Sequence, residues 1–233
     1  MHKEQVTNEQ INTEKVIFGS DLFPKGQIRL SELSVYNWGS FHGLHTASID
    51  ADGTLVTGDN GAGKSTFIDG LMALLLPAGK ATFNVAAAQG DRSDRSLLSY
   101  MRGSFGSAHD GSSTRVKSKR EKGVVTGLRA LYQCDDGSSV TLAALFWTNS
   151  ATNSLSDVKR VYVVAKRDLQ LKEMLNAFGE GNARQLKQWL RDDPAITDCD
   201  SNFSDYQELY RKHLFMDNKN APALLSRALG LKK

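Results

Sequence analysis

GTLVTGDNGAGKSTFIDGLMALLLP, residues Gly53 to Pro77, joins a short β-branched run to a glycine-rich loop and then to an apolar segment. Thr54 to Thr57 predicts a strand that stops at glycine, and Phe67 to Leu76, apolar on every face, predicts a buried helix. Between them Gly58 to Thr66 fits GxxxxGK[ST], and the flanking strand and helix are the context that separates this phosphate-loop pattern from a chance match. Gly58, Gly61 and Gly63 permit turns that residues with a Cβ resist, so the backbone of Gly58, Asp59, Asn60, Gly61, Ala62 and Gly63 can turn its amide hydrogens toward phosphate oxygens. Lys64 is the expected contact to the β- and γ-phosphates and the catalytic cation. Ser65 is the expected Mg²⁺ ligand, and Thr66 opens the helix within reach of the α-phosphate. A guanine-reading NKxD is missing, because Asn218-Lys219-Asn220-Ala221 lacks its aspartate. ATP with Mg²⁺ is therefore the expected ligand.

Upstream, Ile28–Val35 alternates loosely and Leu44–Ile49 follows the turn Asn37-Trp38-Gly39-Ser40-Phe41, which predicts two strands. Downstream, residues 79–122 are rich in Gly, Ser, Asp and Arg and read mostly as loop, with one helix over Ser93–Arg102. Val124–Cys134 and Ser139–Thr148 flank Asp135-Asp136-Gly137 as a β-hairpin does, and Val158–Ala165 adds a third strand to an antiparallel meander. Leu169–Phe178, Ala183–Arg191, Asp205–Phe215 and Ala221–Leu231 carry helical periodicity. The expected fold is α/β: a P-loop NTPase with a mixed sheet and an antiparallel hairpin layer, preceded by a flexible tail over residues 1–26. Residues 27–233 form the nucleotide-binding lobe.

Composition narrows the function classes. Across 233 residues, 40% hydrophobic and 24% charged is the balance of a globular chain. The strongest apolar run, Leu71 to Leu76, is far short of the ~20 residues a membrane-spanning helix needs. The polar N-terminus lacks the apolar core of a secretory signal, so a cytoplasmic location is expected. Two cysteines, Cys134 and Cys199, without CxxC or a nearby histidine pair, give neither a disulfide framework nor a zinc site. Twenty-nine Lys+Arg against 26 Asp+Glu leave only +3, so nucleic-acid binding rests on where the charges lie. Arg115, Lys117, Lys119, Arg120 and Lys122 form the sharpest basic cluster, read either as a DNA contact or as a solvated loop. Arg92, Arg95 and Arg102 are candidates for nucleotide phosphates or a DNA backbone, Arg95 foremost because it opens RSLLSYMRG. Asp69, four residues after Ser65, is a candidate member of a polar network near the loop. The apolar run Val161–Ala165 is followed by Lys166-Arg167-Asp168, leaving Asp168 as a weak candidate for the metal aspartate of a self-contained kinase or NTPase.

VYNWGSFHG (Val35–Gly43), the Gly53–Pro77 stretch, FNVAA (Phe83–Ala87) and RSLLSYMRGSFG (Arg95–Gly106) resemble the N-terminal half of an SMC-type ABC ATPase head, most of all in the bacterial MukB-like and Wadjet-type SMC proteins. LLSRALGLKK (Leu224–Lys233) resembles the stretch leading toward the coiled-coil arm. The resemblance implies that a C-terminal half bringing the signature loop and Walker B completes the head, either as the rest of a longer protein or as a separate polypeptide. It also implies a second SMC-like head, kleisin-type accessory subunits, DNA as partner and association with the nucleoid. It puts Asn37, Trp38 and Phe41 in a turn near the base or ribose, with core packing as the other reading of the two rings. The catalytic glutamate of such heads belongs to the other half. Two alternatives stand beside this reading: the self-contained NTPase, and a non-hydrolysing module that changes partners on binding nucleotide.

Overall fold

Two strands open the fold of the computed structural model, β1 (Ile28–Tyr36) and β2 (Leu44–Ser48), hinged at the Asn37–Phe41 turn. Helix α1 (Lys64–Leu75) follows the glycine loop, then α2 (Leu97–Arg102), the pair β3 (Ser104–Asp110) and β4 (Ser113–Ser118), and the long hairpin β5 (Val124–Cys134) and β6 (Ser139–Thr148). β7 (Lys159–Ala165), α3 (Leu171–Phe178), α4 (Ala183–Asp192), β8 (Ile196–Asp200) and α5 (Phe203–His213) complete it. The described residues are 28–78, 96–110, 113–151 and 154–214. The expected tail, Phe83–Ala87, Arg92, Arg95, the helix over Ala221–Leu231 and Leu224–Lys233 lie outside them.

Six strands form one sheet in the order β2-β1-β5-β6-β7-β8, and every pairing among them is antiparallel. β5 and β6 are buried on both faces, which explains their nearly continuous apolar sequence. Leu128, Ala130, Leu142, Ala144 and Phe146 point to the face covered by α1, α2 and α5. Ala143, Leu145, Val161 and Val163 point to the face covered by α3 and α4. The result is a helix–sheet–helix sandwich, an α/β fold. α1 approaches the sheet closely: a Cβ at Gly70 would lie 3.1 Å from Val35 Cγ1 and 3.3 Å from Leu128 Cδ2. On the same face Tyr206 stacks on Tyr162 and meets Tyr210 edge-on, joining α5 to β7, and Tyr210 donates to the Leu75 carbonyl at the end of α1 (2.8 Å). No helix among the described residues is long and apolar enough to cross a membrane.

Three sequence readings need correction. The strand over Thr54–Thr57 is not formed: residues 53–59 have no regular secondary structure, with Leu55 87% and Val56 42% exposed. A β-branched run becomes a strand only when a neighbour supplies ladder hydrogen bonds and covers a face, and no described strand lies beside it. Part of the expected loop over 79–122 is the β3–β4 hairpin, whose Gly- and Ser-rich sequence hides its pairing. β8 was also missed. Its sequence ITDCD alternates too briefly to signal a strand, and pairing with β7 creates it.

Candidate functional site

The glycine loop ends at Gly63, which caps α1 with φ 98°, a left-handed conformation that favours glycine. A Cβ there would stand 3.0 Å from Phe41 Cζ and 3.1 Å from Ser40 Oγ, so the loop is pressed against the Asn37–Phe41 turn. The first helical turn is Lys64, Ser65 and Thr66, whose amides have no acceptor within the helix and, with the helix dipole, favour an anion. Lys64 Nζ donates to the carbonyls of Asp59 (2.8 Å) and Gly58, folding back over its own loop. These bonds are exposed, so the ammonium can exchange them for phosphate oxygens at little cost.

Beside this loop lies a cavity of about 330 Å³. One wall is Asn60, Gly61 and Gly63 to Thr66; the other is Gly39 and Ser40 together with Ser99, Tyr100 and Ser104. Sequence reasoning missed Ser40, Ser99, Ser104 and Tyr100, because single hydroxyls scattered over three segments carry no spacing signal. The loop side has the donors a polyphosphate needs, and the Ser65 hydroxyl stands in the helical turn where Mg²⁺ would be held.

The second wall is built by the turn after β1. Asn37 takes φ 49°, accepts from the Gly43 amide through Oδ1 (3.0 Å) and donates from Nδ2 to the Val125 carbonyl (3.2 Å). Its side-chain amide thus shapes the turn. Trp38 is fully buried, donates from Nε1 to the Thr66 carbonyl (2.7 Å) and stacks on Tyr100 with ring centroids 4.5 Å apart. It is a packing residue, and Phe41 packs edge-on against Phe67. Tyr100 in turn donates from its hydroxyl to Asp69, which is 2% exposed. Asp69 therefore belongs to a polar network beneath the loop, joining α1 to α2.

Residues 30–90 match the family model for the P-loop containing region of AAA domains. The stretch is a P-loop nucleotide-binding region. No curated protein matches the chain.

Around the P-loop, the basic cluster divides. Lys117 and Lys122 are exposed. The side chain of Arg115 lies outside the described residues, as does Arg95. Arg120 is half-buried and donates to the carbonyls of Gly39 (2.9 Å), Tyr100 (3.2 Å), Met101 (2.7 Å) and Phe41 (3.3 Å), so its guanidinium is engaged by the backbone. Lys119 reaches the Ser40 carbonyl (3.2 Å). A run of like charges reads as one patch in sequence, but the fold draws Arg120 inward while Lys117, Lys119 and Lys122 stay exposed.

Asp168 is corrected as well. Its carboxylate accepts from Arg129, a fully buried residue that also donates to Glu32 (2.7 Å) and to the Leu169 carbonyl (2.7 Å). Arg129 alternates with Leu128 and Ala130, so this ion pair lies on the α3–α4 face, whereas the P-loop helix packs on the other. Asp168 closes a structural ion pair and is no Mg²⁺ ligand for the loop. Among the described residues no group of three or more His, Cys, Asp or Glu is placed to hold a metal ion, and both cysteines are free.

Proposed function

We propose that the chain is the N-terminal ATP-binding lobe of an SMC-like, DNA-organising or DNA-defence ATPase, completed by a C-terminal half, a second head and kleisin-type accessory subunits. The observation that carries this reading is the lead-in to the P-loop. Loop and helix are built and packed, yet the β-branched run Thr54–Thr57 that enters them is unpaired among the described residues, with Leu55 exposed. Burying that side chain is worth about 1.5–3 kcal/mol. A strand from a completing partner would recover it and supply the ladder bonds.

In this reading the amides of residues 59–66 and Lys64 hold the phosphates, and the Ser65 hydroxyl takes one position on Mg²⁺. The bound Mg-ATP supplies the transferable phosphoryl group. Lys64 offsets charge developing on the phosphate oxygens, and Trp38, Tyr100 and Asp69 keep the first turn of α1 in place. No carboxylate lines the cavity among the described residues, so activation of the attacking water falls to the partner. Arg115, Lys117 and Lys122 are the residues proposed to meet DNA.

Equilibrium binding and steady-state hydrolysis of ATP by the purified chain with Mg²⁺, beside Lys64→Ala, test the reading. Binding without turnover, lost in the variant, is expected. Efficient turnover by the chain alone would overturn it in favour of a self-contained NTPase.

A further inference from the structure

Three successive carbonyls of the turn after β1, those of Gly39, Ser40 and Phe41, accept hydrogen bonds from two neighbouring cationic side chains, Arg120 and Lys119. The same guanidinium holds the carbonyls of Tyr100 and Met101 at the end of α2. The main chain follows suit: the Lys119 amide donates to the Gly103 carbonyl (3.3 Å) and the Arg120 amide to the Arg102 carbonyl (3.0 Å). At Gly103 the approach is so close that a Cβ would lie 2.5 Å from the Gly39 carbonyl oxygen. The turn, the end of α2 and the base of the β3–β4 hairpin therefore meet at one residue.

Burying a guanidinium without a carboxylate partner is costly, and burial holds the Arg120 pKa below its ordinary value. No ion pair is formed by Arg120 or Lys119 among the described residues. Arginine tolerates this because its fixed fan of five donors meets these four carbonyls at once, more than the three donors of a lysine can satisfy. The carbonyls are neutral, so among the described residues the half-buried guanidinium stays uncancelled behind a wall whose Gly39 and Ser40 line the cavity of the P-loop, with the exposed Lys119 ammonium beside it. A polyanionic ligand is the group that would benefit.

We infer that Arg120, with Lys119 beside it, is a positioning residue of the nucleotide site: it holds the Gly39–Phe41 wall against the P-loop and ties the base of the β3–β4 hairpin to nucleotide occupancy. The inference rests on the reading that the P-loop binds Mg-ATP.

The test is calorimetric titration of the full chain with Mg-ATP, for wild type, Arg120→Lys, Lys119→Met and Lys172→Met. The last removes an exposed charge from α3, on the other face of the sheet. Thermal melts keep each titration well below the variant's Tm. Hydrogen exchange of residues 113–120 is followed with and without nucleotide. Arg120→Lys is expected to weaken Mg-ATP roughly tenfold or more, since small misplacements in such sites are costly. Lys119→Met weakens it less, and Lys172→Met leaves it unchanged. Mg-ATP slows exchange in the wild-type hairpin and no longer does so in Arg120→Lys, whereas a purely structural role would shift exchange equally with and without ligand. Wild-type affinity in Arg120→Lys overturns the inference, as does an equal loss in Lys172→Met. Should Arg120→Lys not fold, wild-type affinity and hairpin protection in Lys119→Met overturn it. Failure of the wild-type chain to bind Mg-ATP is a different result and sinks the nucleotide reading itself.

Discussion

Replacing Gly39 with alanine strikes the joint between the turn and the P-loop in two separable ways. Gly39 has φ 54°, a conformation that costs an L-residue about 1–2 kcal/mol. The new Cβ would also sit 2.4 Å from Thr66 Cγ2, closer than carbon atoms pack, and such overpacking costs about 1–3 kcal/mol. Together these predict a loss of about 2–5 kcal/mol, or a fall in Tm of about 10 °C for a chain of this size. Thr66→Ser removes the methyl that is struck, keeps the loop hydroxyl, and alone costs below about 1 kcal/mol for one methyl. Gly39→Ala/Thr66→Ser should therefore regain the packing share and retain the backbone share. Thermal melts of the four proteins give the interaction energy directly. Because Thr66 belongs to the P-loop, Mg-ATP affinity should fall in Gly39→Ala and recover in part in the double variant. A double variant no more stable than Gly39→Ala would refute the claim that this wall bears on the first turn of α1.

Three further outcomes are expected. Asp168→Asn should lower stability by weakening the ion pair with buried Arg129 while leaving the Kd for Mg-ATP unchanged; a large loss of nucleotide affinity in a folded variant would contradict its assignment to the opposite face. The hydrogen bond from Arg167 holds the Glu173 carboxyl below its ordinary 4.5, so this pair adds stability at neutral pH that disappears as pH falls through the lowered value. The Tm advantage of wild type over Arg167→Gln should accordingly narrow below about pH 4.5, and an unchanged gap down to acid unfolding would disprove the linkage. Finally, Lys117→Glu/Lys122→Glu should weaken DNA binding and reduce the slope of log affinity against log salt by about 2; unaltered affinity and slope would remove these lysines from any DNA interface.

What was legible in the sequence was what depends on near neighbours along the chain. The pattern GDNGAGKST with its apolar follower marks the loop and α1, because turn conformation, free amides and a buried helix are set within some twenty residues. The hairpin of β5 and β6 was legible for the same reason: two apolar runs meet at Asp135-Asp136-Gly137. The strand at Thr54–Thr57 had the right residues and failed, since a strand exists only when another chain segment bonds to it. β8 is the converse, weak in sequence and formed by its neighbour β7.

The tertiary structure alone decided the second wall of the site. Ser40 lies far in sequence from Ser99, Tyr100 and Ser104, yet the packing of Trp38 on Tyr100 and the span of Arg120 bring them to one cavity. It also reassigned charges that look alike in sequence. Lys119 and Arg120 turn toward carbonyls while Lys117 and Lys122 face water, and Asp168 meets Arg129 on the face away from the P-loop. The type of a charged residue is a local property, whereas its partner depends on which distant segments the fold brings within hydrogen-bond reach.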